Sequence, residues 1–83
     1  MTLKELKIEL NKWNIPHEEY SLLDGLKHDA IILENEYGLW HVYYYDERGN
    51  IFDKTSLKSE CEACWNIFKR FREAVEIKKN LSK

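Results

Sequence analysis

Apolar residues recur first at helical spacing. Leu3, Leu6, Leu10 and Trp13 stand three or four positions apart, with Lys4, Lys7, Glu9 and Lys12 between them. That pattern predicts an amphipathic helix over about residues 3–13. Thr2-Leu3-Lys4-Glu5 offers a capping box at its start, and Pro16 closes it, because the residue before proline is pushed out of the helical region. The period then changes. Tyr20-Ser21-Leu22-Leu23 reads as a short strand ended by Asp24-Gly25, and Ala30-Ile31-Ile32-Leu33-Glu34 as a second. Leu39-Trp40-His41-Val42-Tyr43-Tyr44-Tyr45, run on to Asp46, forms the central strand, and a Gly49-Asn50 turn leads into a short fourth one at residues 51–54. Ser59-Glu60-Cys61-Glu62 is another capping box, opening the longest helix. Its apolar stripe is assigned to Cys61, Cys64, Trp65, Phe68, Phe71 and Val75, with the stem of Lys78, and Asn80 is its expected stop.

Helix, strands, helix with short connections predicts an α+β fold of two layers. Its three- to four-stranded antiparallel sheet carries the N-terminal and the long C-terminal helix on one face, in the order α-β-β-β(-β)-α. Residues 1–83 form a single domain, since a chain this short has room for no more. Period two sorts the central strand. Trp40, Val42 and Tyr44 share one face and His41, Tyr43 and Tyr45 the other. The first set is the better core set and is expected to meet Trp65 and Phe68. His41, Tyr43 and Tyr45 then stand on the open face beside Glu34, Asp46 and Glu47. A bulge in the strand would exchange the two sets.

Charge changes this picture. The net charge of −2 conceals a division. Between residues 17 and 64, eleven acids face four bases, whereas from residue 65 onward six bases face two acids. An acidic middle and a basic end predict two differently charged surfaces. Charged residues throughout the first turn argue against a secretory signal, and no apolar run approaches the roughly 18–20 residues of a membrane span. Two cysteines are too few for a disulfide-stapled scaffold. A cytoplasmic protein without a membrane segment is expected.

Candidate chemistry is sparse. Cys61-Glu62-Ala63-Cys64 has the spacing of a redox or metal-binding pair, but both thiols fall on the predicted apolar stripe and Glu60 and Glu62 oppose thiolate formation. Core packing is the expectation for both. His17, His28 and His41 lack metal-site spacing, and no nucleophile elbow or phosphate-cradling glycine loop is present. No catalytic residue, cofactor or metal is expected, and the chain is read as a non-enzyme. The tyrosines admit two uses. They can stack bases, and the element order resembles that of double-stranded-RNA-binding domains, which makes a small nucleic-acid-binding module the alternative. Yet an acidic sheet repels phosphate, and Ser59-Glu60-Cys61-Glu62 stands where those domains place lysines. The same tyrosines among acids suit a basic protein partner, with aromatic contact area and electrostatic steering.

Tyr20-Ser21-Leu22, Trp40-His41-Val42-Tyr43-Tyr44, Glu47-Arg48-Gly49 and Ser59-Glu60-Cys61-Glu62-Ala63-Cys64 together resemble small bacterial immunity proteins of polymorphic toxin and contact-dependent growth inhibition systems. The likeness covers about residues 20–68. It implies a cytoplasmic antitoxin that binds and neutralises a cognate toxin domain by occlusion, without catalysis. On this reading Glu34, His41, Tyr43, Tyr45, Asp46 and Glu47 form the partner-binding surface, and the acidic middle suggests that the toxin is a basic nuclease.

Overall fold

The computed structural model of the chain describes residues 1–81, and the side chains of residues 1–76. Helix α1 spans Leu3–Lys12, and the capping box forms as its sequence requires: Thr2 Oγ1 accepts from the Glu5 amide at 3.2 Å, and Glu5 Oε1 accepts from the Thr2 amide at 3.3 Å. The helix ends before Pro16. Asn14 takes a left-handed φ of 56°, so that its amide reaches the Asn11 carbonyl at 3.0 Å and the Ile15 amide reaches that of Leu10 at 3.1 Å. This is a Schellman cap, and its usual apolar contact is present because Leu10 and Ile15 share the core.

A 3-10 turn at His17–Glu19 leads into β1 (Tyr20–Leu22), followed by β2 (Ala30–Glu36), β3 (Leu39–Tyr45), β4 (Ile51–Leu57) and α2 (Glu60–Leu81). The strands lie in the order β1-β2-β3-β4. The fold is the expected α+β arrangement with two helices on one sheet, but the sheet is mixed: β1 runs parallel to β2, whereas the other pairs are antiparallel. Parallel neighbours usually need a long crossover. Here β1 is only three residues, so a return of about 10 Å suffices. The loop 23–29 makes it by turning at both ends through left-handed residues, Leu23 at φ 65° and Asp29 at φ 58°. Nothing in the strand pattern distinguishes that route from a hairpin.

β2 and β3 are joined by Tyr37-Gly38, both at positive φ (51° and 81°), the geometry of a tight hairpin turn. β4 is longer than the residue pattern suggests, reaching Leu57. A bulge interrupts its pairing with β3: Val42 faces Thr55 and Tyr44 faces Phe52, so Asp53 and Lys54 together oppose Tyr43. Asp53 takes a φ of 52° to accommodate the extra residue. Because the bulge lies in β4, the alternation of β3 survives intact.

Both helices cover one face. Leu6 and Leu10 of α1, Tyr20 and Leu22 of β1, Leu33 of β2, Val42 of β3, and Ala63, Cys64, Ile67 and Phe71 of α2 form the core, with Trp13, Trp40 and Phe68 packed at its margin. Trp40 and Val42 therefore face the helices as expected. The stripe of α2 does not match its sequence assignment. Ala63 and Ile67 are fully buried, whereas Cys61 is exposed and Trp65 is 51% exposed. The buried stripe is centred on Ala63, Cys64, Ile67 and Phe71, about one residue step around the helix from the line through Cys61 and Trp65. Trp65 instead lies edge-on to Phe68 (5.4 Å, 80°), which stacks on Trp13 at 4.8 Å. The side chain of Lys78, assigned to the stripe, lies outside the described ones, and the helix does not stop at Asn80 as expected: its backbone continues through Asn80 to Leu81. No helix among the described residues is long and apolar enough to cross a membrane.

Candidate functional site

The face of the sheet opposite the helices is built by cross-strand pairs: Ala30 with Tyr45, Ile32 with Tyr43 and Glu34 with His41, then His41 with Ser56. Its residues are held by specific bonds. The Tyr43 hydroxyl donates to Glu34 Oε1 at 2.5 Å. Burial first, and then this bond to a carboxylate, push the Tyr43 phenol far above its usual range. His41 Nδ1 and Ser56 Oγ stand 2.9 Å apart, and His41 Nε2 is 3.9 Å from Glu36 Oε2. Tyr45 stacks on His28 at 5.2 Å. A Cβ at Gly49 would lie 3.2 Å from the Tyr45 hydroxyl, so the turn passes close under that side chain.

The six residues nominated from the sequence divide accordingly. Glu34, His41, Tyr43 and Tyr45 share the face. Tyr43, however, is 2% exposed and not open to solvent as expected. Ala30 and Ile32 pack beside its ring, and Lys54, brought over the strand by the bulge, sits 5.9 Å from its centroid. Its part is to fix Glu34 rather than to offer ring area. Asp46 and Glu47 lie in the β3–β4 turn at one end of the face. The Asp46 carboxylate accepts from the amides of Asn50 (2.7 Å) and Arg48 (2.9 Å) and from Asn50 Nδ2 (3.2 Å). The Asn50 amide above all holds its pKa below the usual carboxylate range. Asp46 thus organises the turn. Glu47 is exposed and makes no bond among the described residues, which leaves its charge available.

Other residues were not singled out in the sequence. Glu36 and Lys54 complete the charged lining of the face; the extension of β2 and the bulge of β4 place them there. On the other side, α2 residues 70–75 and the sheet border a groove of about 430 Å³. Ile15, Ile31, Phe71, Ala74 and Val75 line it, together with Glu19, Asp29, Tyr44 and Arg70. The Tyr44 hydroxyl donates to Asp29 Oδ1 at 3.1 Å. Arg70 Nε donates to Asn66 Oδ1 (2.8 Å), and its Nη2 donates to the Asp53 carbonyl (2.6 Å) and Thr55 Oγ1 (3.3 Å), which ties α2 to the bulge. The parallel pairing of β1 with β2 sets Glu19 and Asp29, which precede the two strands, at one end of this groove, and the residue pattern gives no signal for that pairing.

The cysteines do not form a couple of equivalent thiols. Cys64 is buried, and desolvation pushes its pKa up to about 11, so it is a poor nucleophile. Cys61 is exposed at the helix start, 3.1 Å from the Met1 amino group. No group of three or more His, Cys, Asp or Glu side chains among the described residues is placed to hold a metal. The start of α2 carries Glu60 and Glu62, with Ser59 Oγ accepting from the Glu62 amide (3.2 Å) and Glu62 Oε2 from that of Lys58 (3.2 Å). A phosphate approaching this helix end meets two carboxylates. Compared with protein-family models, curated proteins and solved structures, the chain matches none.

Proposed function

We propose that this chain is a cytoplasmic immunity protein that binds a cognate toxin domain and neutralises it by occlusion, with a basic nuclease as the kind of toxin its charge suits. The observation that carries the reading is the open sheet face. Glu34 and Glu36 present carboxylates on the face beside His41, and Glu47 adds one from the turn at its end, where Arg48 also stands; Lys54 lies over Tyr43. Hydrogen bonds from Tyr43 to Glu34 and between His41 and Ser56 hold Glu34 and His41 in place before a partner arrives. Pre-set side chains lose little entropy on binding, and acids around an aromatic contact steer a basic protein toward it. The likeness to immunity proteins in the β3 and α2 motifs points the same way.

The test is growth. The genes on either side are read first, and an operon of RNA processing or redox metabolism there counts against the reading. The C-terminal domain of a secreted protein found there is expressed in a bacterial host, alone and together with the chain. The domain alone stops growth and co-expression restores it, if the reading is right. Arrest that persists in cells holding folded, abundant chain removes it.

A further inference from the structure

We propose that the groove between the sheet and the second half of α2 seats an arginine or lysine side chain of the protein partner. This rests on the reading of the chain as a binder of a basic protein, and it adds a second docking point on the helix side. The shape suits such a side chain. Ile15, Ile31, Phe71, Ala74 and Val75 give an apolar trough for a methylene stem, and Glu19, Asp29 and the Tyr44 hydroxyl give it a polar end. The volume, about 430 Å³, exceeds that of any single side chain, so the stem enters without repacking the core.

Charge decides between a cationic and an anionic occupant. Arg70 is the groove's one base among the described residues; its Nε and Nη2 donors are directed to Asn66, the Asp53 carbonyl and Thr55, which leaves Nη1. An incoming carboxylate would find only Nη1 to meet it, and it would stand in a groove whose lining carries two acids, Glu19 and Asp29. The acids are less committed. Among the described residues the Glu19 carboxylate has no hydrogen bond or ion pair, and the Asp29 carboxylate accepts only from Tyr44, which leaves lone pairs on both. A guanidinium or ammonium placed there gains charge-assisted bonds near an apolar wall, where water screens them less than in the open.

The test uses the full chain, labelled with nitrogen-15, and three tripeptide amides with arginine, citrulline or glutamate between alanines. Citrulline keeps the shape of arginine and removes its charge. The arginine peptide should give saturable amide shifts at Asp29, Ile31, Tyr44 and Phe71, and the citrulline and glutamate peptides should bind about tenfold more weakly or not at all. Glu19→Gln with Asp29→Asn should weaken the arginine peptide by a similar factor; asparagine tolerates the left-handed backbone at position 29, so the fold is kept. Equal binding of the arginine and citrulline peptides, no saturation, or shifts confined to the sheet face overturns the proposal. Its failure is separable from that of the immunity reading. A toxin domain that binds the double variant as tightly as the native chain sinks the groove alone. Arginine-specific saturation of the groove, in a chain that binds no such domain, upholds the groove and sinks the immunity reading.

Discussion

Ile67 and Trp65 stand two positions apart on α2, and the structure assigns them opposite fates. Ile67 is fully buried between α2 and the sheet, whereas Trp65 is half exposed and touches Phe68 by its edge. Replacing Ile67 by alanine removes three carbons from the core. At about 0.8 kcal/mol per buried carbon the transfer loss is about 2.4 kcal/mol, and the cavity left behind raises the total to about 3–4 kcal/mol. Trp65→Ala removes a larger side chain but one that already has half its area in water. Its loss comprises partial burial and one aromatic contact, about 1–2 kcal/mol. A chain of this length is held by about 4–12 kcal/mol in all, so the first change costs a large part of its stability. Urea unfolding followed by circular dichroism reads both variants, and the midpoint of Ile67→Ala should fall well below that of Trp65→Ala. The reverse order, or equal losses, would show that α2 is rotated from its described position and that Trp65 faces the core.

Three further outcomes follow from the bonds on the open face and from the buried thiol. Tyr43→Phe removes the donor to Glu34 and should cost about 1 kcal/mol in urea unfolding, since the carboxylate at the sheet surface can recruit water; no loss would mean that the bond does not hold Glu34. In alkali, Cys64 and Tyr43 keep their protons after the unfolded chain has lost them, because their folded pKa values are raised. The stability these two groups contribute is therefore full below about pH 8.5 and falls as pH rises, first through the thiol and then, above about pH 10, through the phenol. Cys64→Ala should remove the earlier part of that fall in pH-dependent thermal melts, and a decline of unchanged onset would contradict the assignment. Asp46→Ala should speed hydrogen exchange at the Arg48 and Asn50 amides, while exchange at β2 amides stays as it was; protection that persists at the two turn amides would mean that the carboxylate does not order the turn.

The element order, the two-layer arrangement and the faces of β3 were legible because each rests on local pattern. Thr2 and Glu5 cap α1 as their spacing requires, and strict alternation put Trp40 and Val42 under the helices. What was not legible depended on tertiary geometry. The apolar residues of α2 allow two neighbouring stripes, and residue size favoured the one through Trp65; packing instead chose Ala63 and Ile67, whose smaller side chains let the helix approach the sheet. The parallel pairing of β1 follows from the path of one loop. The bulge at Asp53 moved Lys54 over Tyr43, so a tyrosine on the correct face turned out to be covered. Asp46 read as a free surface acid, but its position before Arg48-Gly49-Asn50 also makes it the acceptor for that turn, a use the spacing alone could have suggested.

The central claim is that acids on this small sheet and its groove receive a basic protein. The most direct measurement is isothermal titration of the chain with the C-terminal domain of any secreted protein that sequencing of the adjoining genes reveals, at two salt concentrations, for the native chain and for Glu36→Lys with Glu47→Lys. Both substitutions leave Asp46 and the turn intact. A stoichiometric complex that weakens with salt, and weakens further with the charge reversal, is the predicted result. Binding of equal strength by the native and reversed chains, indifferent to salt, would contradict the account.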